Sequence, residues 1–429
     1  MLMLNIKRVR SDPEYFRNGL VRRGLPHDLV NRILELDARK RSLLKEIQQL
    51  RHQRNLAAEQ VAAAKKRGEK ADNLLQQMVE VGRMLERLEA ELDDVDRQLD
   101  TFLRNTPNVP HESVPDGVGE EDNVVVRVWG EARREDWMKD HVDVLMGLGL
   151  AGLEAAAKVA GARFYYLFGD LVLLNIALAR YALEHLKAKG FKLVQPPYML
   201  TRKIMEGVIA FQDFEDMIYK VEGEDLYLIG TAEHAIAGLH AGEILDGRLL
   251  PLRYAGVSPC FRKEAGAHGK DTKGIFRVHQ FEKVEQFSFT KPSQSWEEHE
   301  FLISNAEELY RGLGLPYRIV NICIGELGPI AAKKYDLEVW MPAQNKYREL
   351  VSCSNCTDYQ ATRLEIRYRE APHVETTDYV HTLNSTAIAT ERTIVAILEN
   401  YQRRDGSVEI PEKLQPYLNG LKELKPASQ

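Results

Sequence analysis

Between residues 29 and 102, apolar or small side chains recur at alternating intervals of four and three. The first run holds Leu29, Ile33, Leu36, Leu43, Ile47, Leu50, Ala57, Val61 and Ala64, with Lys40 and Arg54 standing in the same register. The second holds Leu74, Met78, Val81, Leu85, Leu88, Leu92, Val95, Leu99 and Phe102, with no polar intruder. This is the coiled-coil period, and the polar break Lys65-Lys66-Arg67-Gly68-Glu69-Lys70 predicts a turn between two helices. Pro107 and Pro110 end the second helix. Helices of ~35 residues rise ~50 Å, longer than a small domain is wide, so the pattern predicts a projecting antiparallel arm over about 28–104.

Beyond a loop rich in Pro, Gly and acid at 105–123, the pattern becomes shorter and mixed. It predicts a helix over 166–189, entered through a Gly/Ala-rich stretch, and helices near 231–245, 294–312 and 386–402. Strand-like runs lie at 192–199, 225–230, 250–263, 275–289, 317–323, 335–341 and 347–352. Strands adjacent in sequence with few crossover helices predict an α+β fold, an antiparallel sheet with helices packed on it. The expected domains are therefore 1–110, carrying the arm, and 111–429.

Composition changes this picture little. The chain has 429 residues, 44% apolar and 28% charged, with a net charge of −6. That excludes a general nucleic-acid-coating protein but leaves room for a local basic surface. Residues 28–67 supply one, with ten Lys/Arg against five Asp/Glu. Charge alone reads equally well as a solvated coiled-coil face or as a surface that tracks a phosphate backbone. No apolar run approaches the ~18–20 residues that span a bilayer, so no membrane partner is expected. The N-terminus lacks a signal peptide's apolar core, which predicts a cytoplasmic protein. Four cysteines are too few for a disulfide scaffold, and Cys353-Ser-Asn-Cys356 has no second pair to complete a zinc site. Small buried thiols in a reducing compartment are the expectation.

Two apparent nucleotide motifs fail on context. Gly147-Leu-Gly149-Leu-Ala-Gly152 fits G-x-G-x-x-G but follows helix-like sequence rather than a strand. Gly269-Lys270-Asp271-Thr272 lacks both the first glycine and the Ser/Thr of a P-loop. The stretch PCFRKEAGAHGKDTKGIFRVHQFEKVEQF at 259–287 is different, because its two strand-like runs carry Arg262, Glu264, Arg277, Glu282 and Glu285. Strand alternation puts Phe281, Lys283, Glu285 and Phe287 on one face. Ions on a buried face cost several kcal/mol each unless paired or liganded, so the hairpin is either a salt-bridge ladder or one side of a polar ligand site. Three further polar clusters stand at element boundaries: Thr231-Ala232-Glu233 opening a helix, Glu349 and Ser352 in YRELVSCSN, and Arg392 in an otherwise small and apolar helix.

Together these residues resemble a class II aminoacyl-tRNA synthetase, most closely the seryl-tRNA synthetase family. The resemblance spans the whole chain: the N-terminal arm, GFKLVQPPYM at 190–199, the TAE triplet, the FRKE…RVHQFEKVEQF hairpin, YRELVSCSN and the helix of Arg392. It implies an ATP-dependent ligase that joins L-serine to the 3′ end of serine tRNA, with selenocysteine tRNA a further substrate where it exists. Arg262, Glu349 and Arg392 would be the catalytic residues. Thr231, Ala232, Glu233 and Glu285 would hold serine, with Thr386 near its hydroxyl. ATP would meet Arg262, Lys263, Glu264, Val278, Phe281, Glu349, Leu350, Val351, Ser352 and Arg392, with Mg2+ on Glu349 and the phosphates. The resemblance also implies a homodimer whose arm embraces the long variable arm of serine tRNA. The glycine-bearing loop of the hairpin would meet the tRNA acceptor end.

One departure stands out. Bacterial relatives commonly carry NGSGLAVGR where this chain reads Asn384-Ser-Thr-Ala-Ile-Ala-Thr-Glu391-Arg392. The change falls at Thr386, the expected hydroxyl contact, and sets Glu391 as a competing partner for Arg392. Two other functions fit the motifs less well: a paralogue loading a carrier protein, and a coiled-coil scaffold on an inactive core.

Overall fold

The computed structural model describes residues 4–210, 217–264 and 273–426. The loop glycines Gly266 and Gly269, and with them most of the loop expected to meet the acceptor end, lie outside the described residues. Two compact units make up the chain, Met1–Val109 and Pro110–Gln429.

In the first unit α1 (Ile6–Ser11) and α2 (Pro13–Arg22) precede the long helices α3 (Leu29–Lys66) and α4 (Asp72–Asn105). Asp12 caps α2 by accepting from the Tyr15 N–H, and Pro13 takes the first-turn position where its missing N–H costs nothing. The turn at the far end closes through Gly68 at φ +73°, a left-handed conformation that suits glycine just past a helix. The hairpin holds along three stretches. Val30, Ile33, Leu99 and Leu103 pack with Phe16 and Leu20 at the base. Leu43, Ile47, Leu85, Leu88 and Val95 pack in the middle, and Val61, Ala64 and Ala71 near the turn. Lys40 interrupts the seam without breaking it because its ammonium pairs with Asp96 of α4. Arg39–Glu91 and Arg51–Glu89 add pairs across the two helices.

In the second unit eight strands form one sheet: β1 (Val124–Trp129), β2 (Lys192–Val194), β3 (Leu252–Phe261), β4 (Gln280–Thr290), β5 (Tyr317–Asn321), β6 (Lys333–Met341), β7 (Lys346–Asn355) and β8 (His381–Ala389). Their order is β1-β5-β6-β7-β8-β4-β3-β2, antiparallel throughout except for the parallel pair β2–β3. Among the described residues the helices are α5 (His141–Leu148), α6 (Leu153–Ala160), α7 (Asp170–Ala188), α8 (Arg202–Val208), α9 (Ala232–Ala237), α10 (Ser295–Gly312), α11 (Tyr359–Leu364) and α12 (Thr390–Asn400). Val284, Leu337, Val351 and Leu383 join α7, α10 and α12 in the main core on one side of the sheet. On the other side Phe287 and Phe289 pack with residues of α8, α9 and α11 in a second core.

The expected α+β class holds, with local corrections. Residues 386–389 are the end of strand β8, not the start of a helix, which begins at Thr390. The stretch Thr-Ala-Ile-Ala is too short and mixed to announce a strand, and pairing with β4 decides its state. Strand β1 has exposed valines and no alternation, and the sequence pattern does not predict it. The helix expected over 231–245 stops at Ala237, followed by a 3-10 turn and a strand at Ile244–Asp246. The Gly/Ala-rich stretch contains its own helices, and Gly149 at φ +67° caps α5 rather than cradling a phosphate.

Candidate active site

On the face of the sheet opposite the main core, β4, β7 and β8 line a cavity of about 400 Å³. Strand β4 contributes as its alternation predicts: Phe281, Lys283 and Glu285 line the cavity, while Val284 enters the main core. Strands β7 and β8 do something the sequence does not announce. Glu349 and Ser352 are three residues apart, a spacing that puts two strand side chains on opposite faces. A bulge between Glu349 and Val351 absorbs one residue, and both Glu349 and Ser352 reach the cavity. A second bulge between Thr386 and Ile388 does the same for β8, so Asn384, Thr386 and Ala389 all line it.

At one end lies a carboxylate-rich pocket. Thr231 caps α9 by accepting from the Glu233 N–H at 3.2 Å, and its hydroxyl donates to Glu285 at 3.4 Å. Thr386 sits directly across from Glu285 in the sheet and donates to the same oxygen at 3.4 Å. Lys283 pairs with Glu285 as well, so this buried charge is balanced. Glu233 accepts from Gln360 at 3.1 Å and from Asn384 at 3.0 Å. Burial, followed by the repulsion of Glu285, pushes its carboxyl up to about 7.

Arg262, Glu264, Val278 and Phe281 occupy the middle. The Arg262 Nε donates to the Gly230 carbonyl at 3.2 Å, and its guanidinium lies over the Phe281 ring at 5.0 Å. Glu264 lies beyond the end of β3 at φ +51°, so strand alternation does not govern it, and its carboxylate pairs with Arg277. At the other end Arg392 lies over Phe276 at 4.9 Å and donates to the Glu349 carbonyl at 2.9 Å. Removal from water opposes ionisation of Glu349, but Arg392, Lys334, Arg262 and Lys283 outweigh it and hold its carboxyl below the usual range. Here the cavity meets a second one of about 420 Å³, lined also by Lys334, Asp336 and Glu338. Burial pushes Asp336 up to about 7, and its Oδ1 has no hydrogen-bond partner.

Three expected contacts stand apart. Ala232 and Val351 are wholly buried in the two cores, and Lys263 does not line the cavity, its N–H donating to the Met217 carbonyl. Leu350 is the residue the β7 bulge absorbs, and it does line the cavity. Glu391 does not compete for Arg392. It accepts from the Tyr165 hydroxyl, the Glu282 N–H and the Thr390 hydroxyl. Cys353 and Cys356 are buried free thiols, and Cys356 accepts from Asn384 at 3.7 Å. Sequence reasoning missed Asn384, Gln360, Lys334 and Asp336. Asp336 alone gave a signal, as an acid inside the apolar run YDLEVWM.

The arrangement suits a ligand with anionic and cationic parts. Arg262 and Arg392 present guanidiniums to oxyanions, and Glu233 and Glu285 face a cation or hydroxyl. Comparison with known proteins agrees. Residues 217–401 match the tRNA synthetase class II core domain (G, H, P, S and T), and residues 3–110 match the seryl-tRNA synthetase N-terminal domain. The serine–tRNA ligase of Pyrococcus horikoshii is 54% identical, over 99% of this chain and 98% of its own. A crystal structure of seryl-tRNA synthetase from that organism complexed with ATP superposes with a TM-score of 0.93, at 53% identity, covering 99% of this chain and all of the other. The cytoplasmic serine–tRNA ligase of Naegleria fowleri in complex with AMP gives 0.89 at 37% identity, covering 99% of each. The chain belongs to the seryl-tRNA synthetase family of class II aminoacyl-tRNA synthetases.

Proposed function

We propose that this chain activates L-serine with ATP and transfers it to the 3′ end of serine tRNA. The observation that carries the reading is the convergence of Thr231, Glu233, Arg262, Glu285, Glu349, Ser352, Thr386 and Arg392 on one cavity, in a chain whose relatives are serine–tRNA ligases. The ATP and AMP named with two relatives support a nucleotide in the middle of that cavity.

The chemistry needs little acid–base help. A serine carboxylate, whose ordinary pKa is near ~3.5, is ionised at pH 7 and can attack the α-phosphorus directly. What remains is to neutralise charge and hold the reactants in line. Arg262 serves the α-phosphate and the substrate carboxylate, and its seat over Phe281 leaves it beside the expected adenine plane. Arg392 serves the far phosphate. Glu233, Glu285 and Thr386 hold the serine ammonium and hydroxyl, and alanine is rejected because it leaves a buried acceptor unpaired. Seryl-adenylate and pyrophosphate form, and a terminal ribose hydroxyl of the tRNA then takes the seryl group.

Among the described residues no cluster of three or more His, Cys, Asp or Glu suits a metal ion by itself. The Glu349 carboxylate, the Ser352 hydroxyl and the partnerless Asp336 oxygen nonetheless form an oxygen donor set that fits Mg2+ once phosphates complete it. Bound there, Mg2+ would neutralise phosphate charge.

The arm is the tRNA-binding element in this reading, and a homodimer is the expected assembly. On α7, Val172, Leu173 and Ile176 are exposed, the last at 57%, and a partner copy would cover them. No helix among the described residues is long and apolar enough to cross a membrane, and we place the protein in the cytoplasm with its tRNA. Selenocysteine tRNA would be a further substrate wherever it occurs.

Serine-dependent ATP–pyrophosphate exchange tests the proposal. Arg262→Ala is expected to lower it by ~10²–10³-fold, the usual cost of removing one preorganised charge partner. Exchange supported by another amino acid and not by serine would overturn the substrate assignment.

A further inference from the structure

Gln360 of α11 is fully buried, yet every hydrogen-bonding atom of its amide is engaged. The Thr382 hydroxyl donates to Oε1 at 2.7 Å. At the other end the Val208 carbonyl can only accept, which fixes that end as Nε2; it donates twice, to Val208 at 3.1 Å and to Oε1 of Glu233 at 3.1 Å. Asn384 donates to the same Glu233 oxygen at 3.0 Å. Oε1 is thus taken up inside the protein, and Oε2 is the Glu233 oxygen left for a ligand in the cavity.

We propose that Gln360 is a positioning residue for amino-acid selection, which aims Glu233 through the buried chain Thr382–Gln360–Glu233. The inference rests on Glu233 being a serine contact. A half-buried carboxylate with one free rotation would accept from many ligands, whereas one clamped at Oε1 presents a single acceptor in a fixed direction. The charged groups around Glu233 are Glu285 and Lys283 of β4 and Arg262 past β3, and the neutral Cys356 thiol past β7 is the other titratable neighbour. None of these donates to Oε1, so Gln360 and Asn384 alone hold it among the described residues.

The test is pyrophosphate exchange by full-length Gln360→Glu, a near-isosteric change that removes the donor and sets a second carboxyl beside Glu233. The KM for serine is expected to rise about tenfold or more, the usual worth of a hydrogen bond to a charged group. The KM for ATP should stay within about twofold, since the nucleotide contacts lie elsewhere. The acid limb of kcat/KM for serine should move to higher pH, because losing an N–H donor and gaining a neighbouring carboxyl both favour protonated Glu233. Serine and ATP KM values rising together, or an unmoved acid limb, would mean that Gln360 only packs and would overturn the proposal. If Gln360→Glu fails to fold, Gln360→Met, which keeps the side chain's length and removes its N–H donor, must move the same limb in the same direction, and an unmoved limb overturns the proposal equally. Lack of serine-dependent exchange in the unaltered protein would instead sink the reading of the cavity, a separate and recognisable failure.

Discussion

Glu391 shows how a neighbour in sequence need not be a neighbour in chemistry. It directly precedes Arg392, yet three donors turn its carboxylate toward Tyr165 and the β4 backbone, leaving Arg392 for the cavity. Burial pushes Glu391 up to about 7. The unfolded chain releases that proton near the ordinary ~4.3, so between that pH and about 7 the folded state binds more protons than the unfolded one. Stability from this group therefore falls as pH rises through that window. Above it the carboxylate is charged and the Tyr165 bond is at its strongest. Tyr165→Phe is expected to cost ~1.5–3 kcal/mol at pH 8 and roughly half of that at pH 6, measured by denaturant unfolding. An equal loss at both values would mean that Glu391 is not the titrating partner. Thr386 carries a different expectation. Its hydroxyl donates to Glu285 at 3.4 Å, so Thr386→Val should raise the KM for serine about three- to tenfold with the KM for ATP unchanged.

At the scale of elements, regular periodicity was legible and irregularity was not. The arm's seam was readable because a heptad pattern repeats the same physics many times, and even the intruding Lys40 finds Asp96. The β4 face was readable because alternation alone puts Phe281, Lys283 and Glu285 together. The two bulges were not readable, since one extra residue in β7 or β8 is set by pairing with neighbours distant in sequence. Nor was Gln360, whose partners come from α8, α9 and β8. The motif residues themselves were found through family resemblance more than through pattern. In α3 the structure sharpens the question of charge. Arg39, Lys40 and Arg51 are paired with α4 carboxylates, whereas Lys45, Arg54, Lys65 and Lys66 have no ion pair among the described residues. Those four are the cations available for phosphates. Replacing Arg54, Lys65 and Lys66 together with Ala should weaken serine tRNA binding and flatten its salt dependence by ~0.7–0.9 of slope for each phosphate no longer neutralised. An unchanged slope in filter binding would return the basic face to a solvated surface.

For the whole molecule, the division into two units predicts which activities can be separated. All the cavity residues lie in Pro110–Gln429, and the arm lies in Met1–Val109. Each unit has its own buried core, so loss of the arm leaves the main core and the sheet intact. Replacing residues 28–104 with a short linker should therefore spare serine-dependent pyrophosphate exchange, which needs only the cavity. Charging of serine tRNA should be abolished at ordinary tRNA concentrations, because the phosphate contacts that raise local concentration are gone. The pairing of results matters more than either alone. Exchange lost together with charging would make the arm a structural support for the catalytic unit. Charging retained would assign tRNA recognition to the catalytic unit itself, and the unpaired cations of α3 would then need another partner.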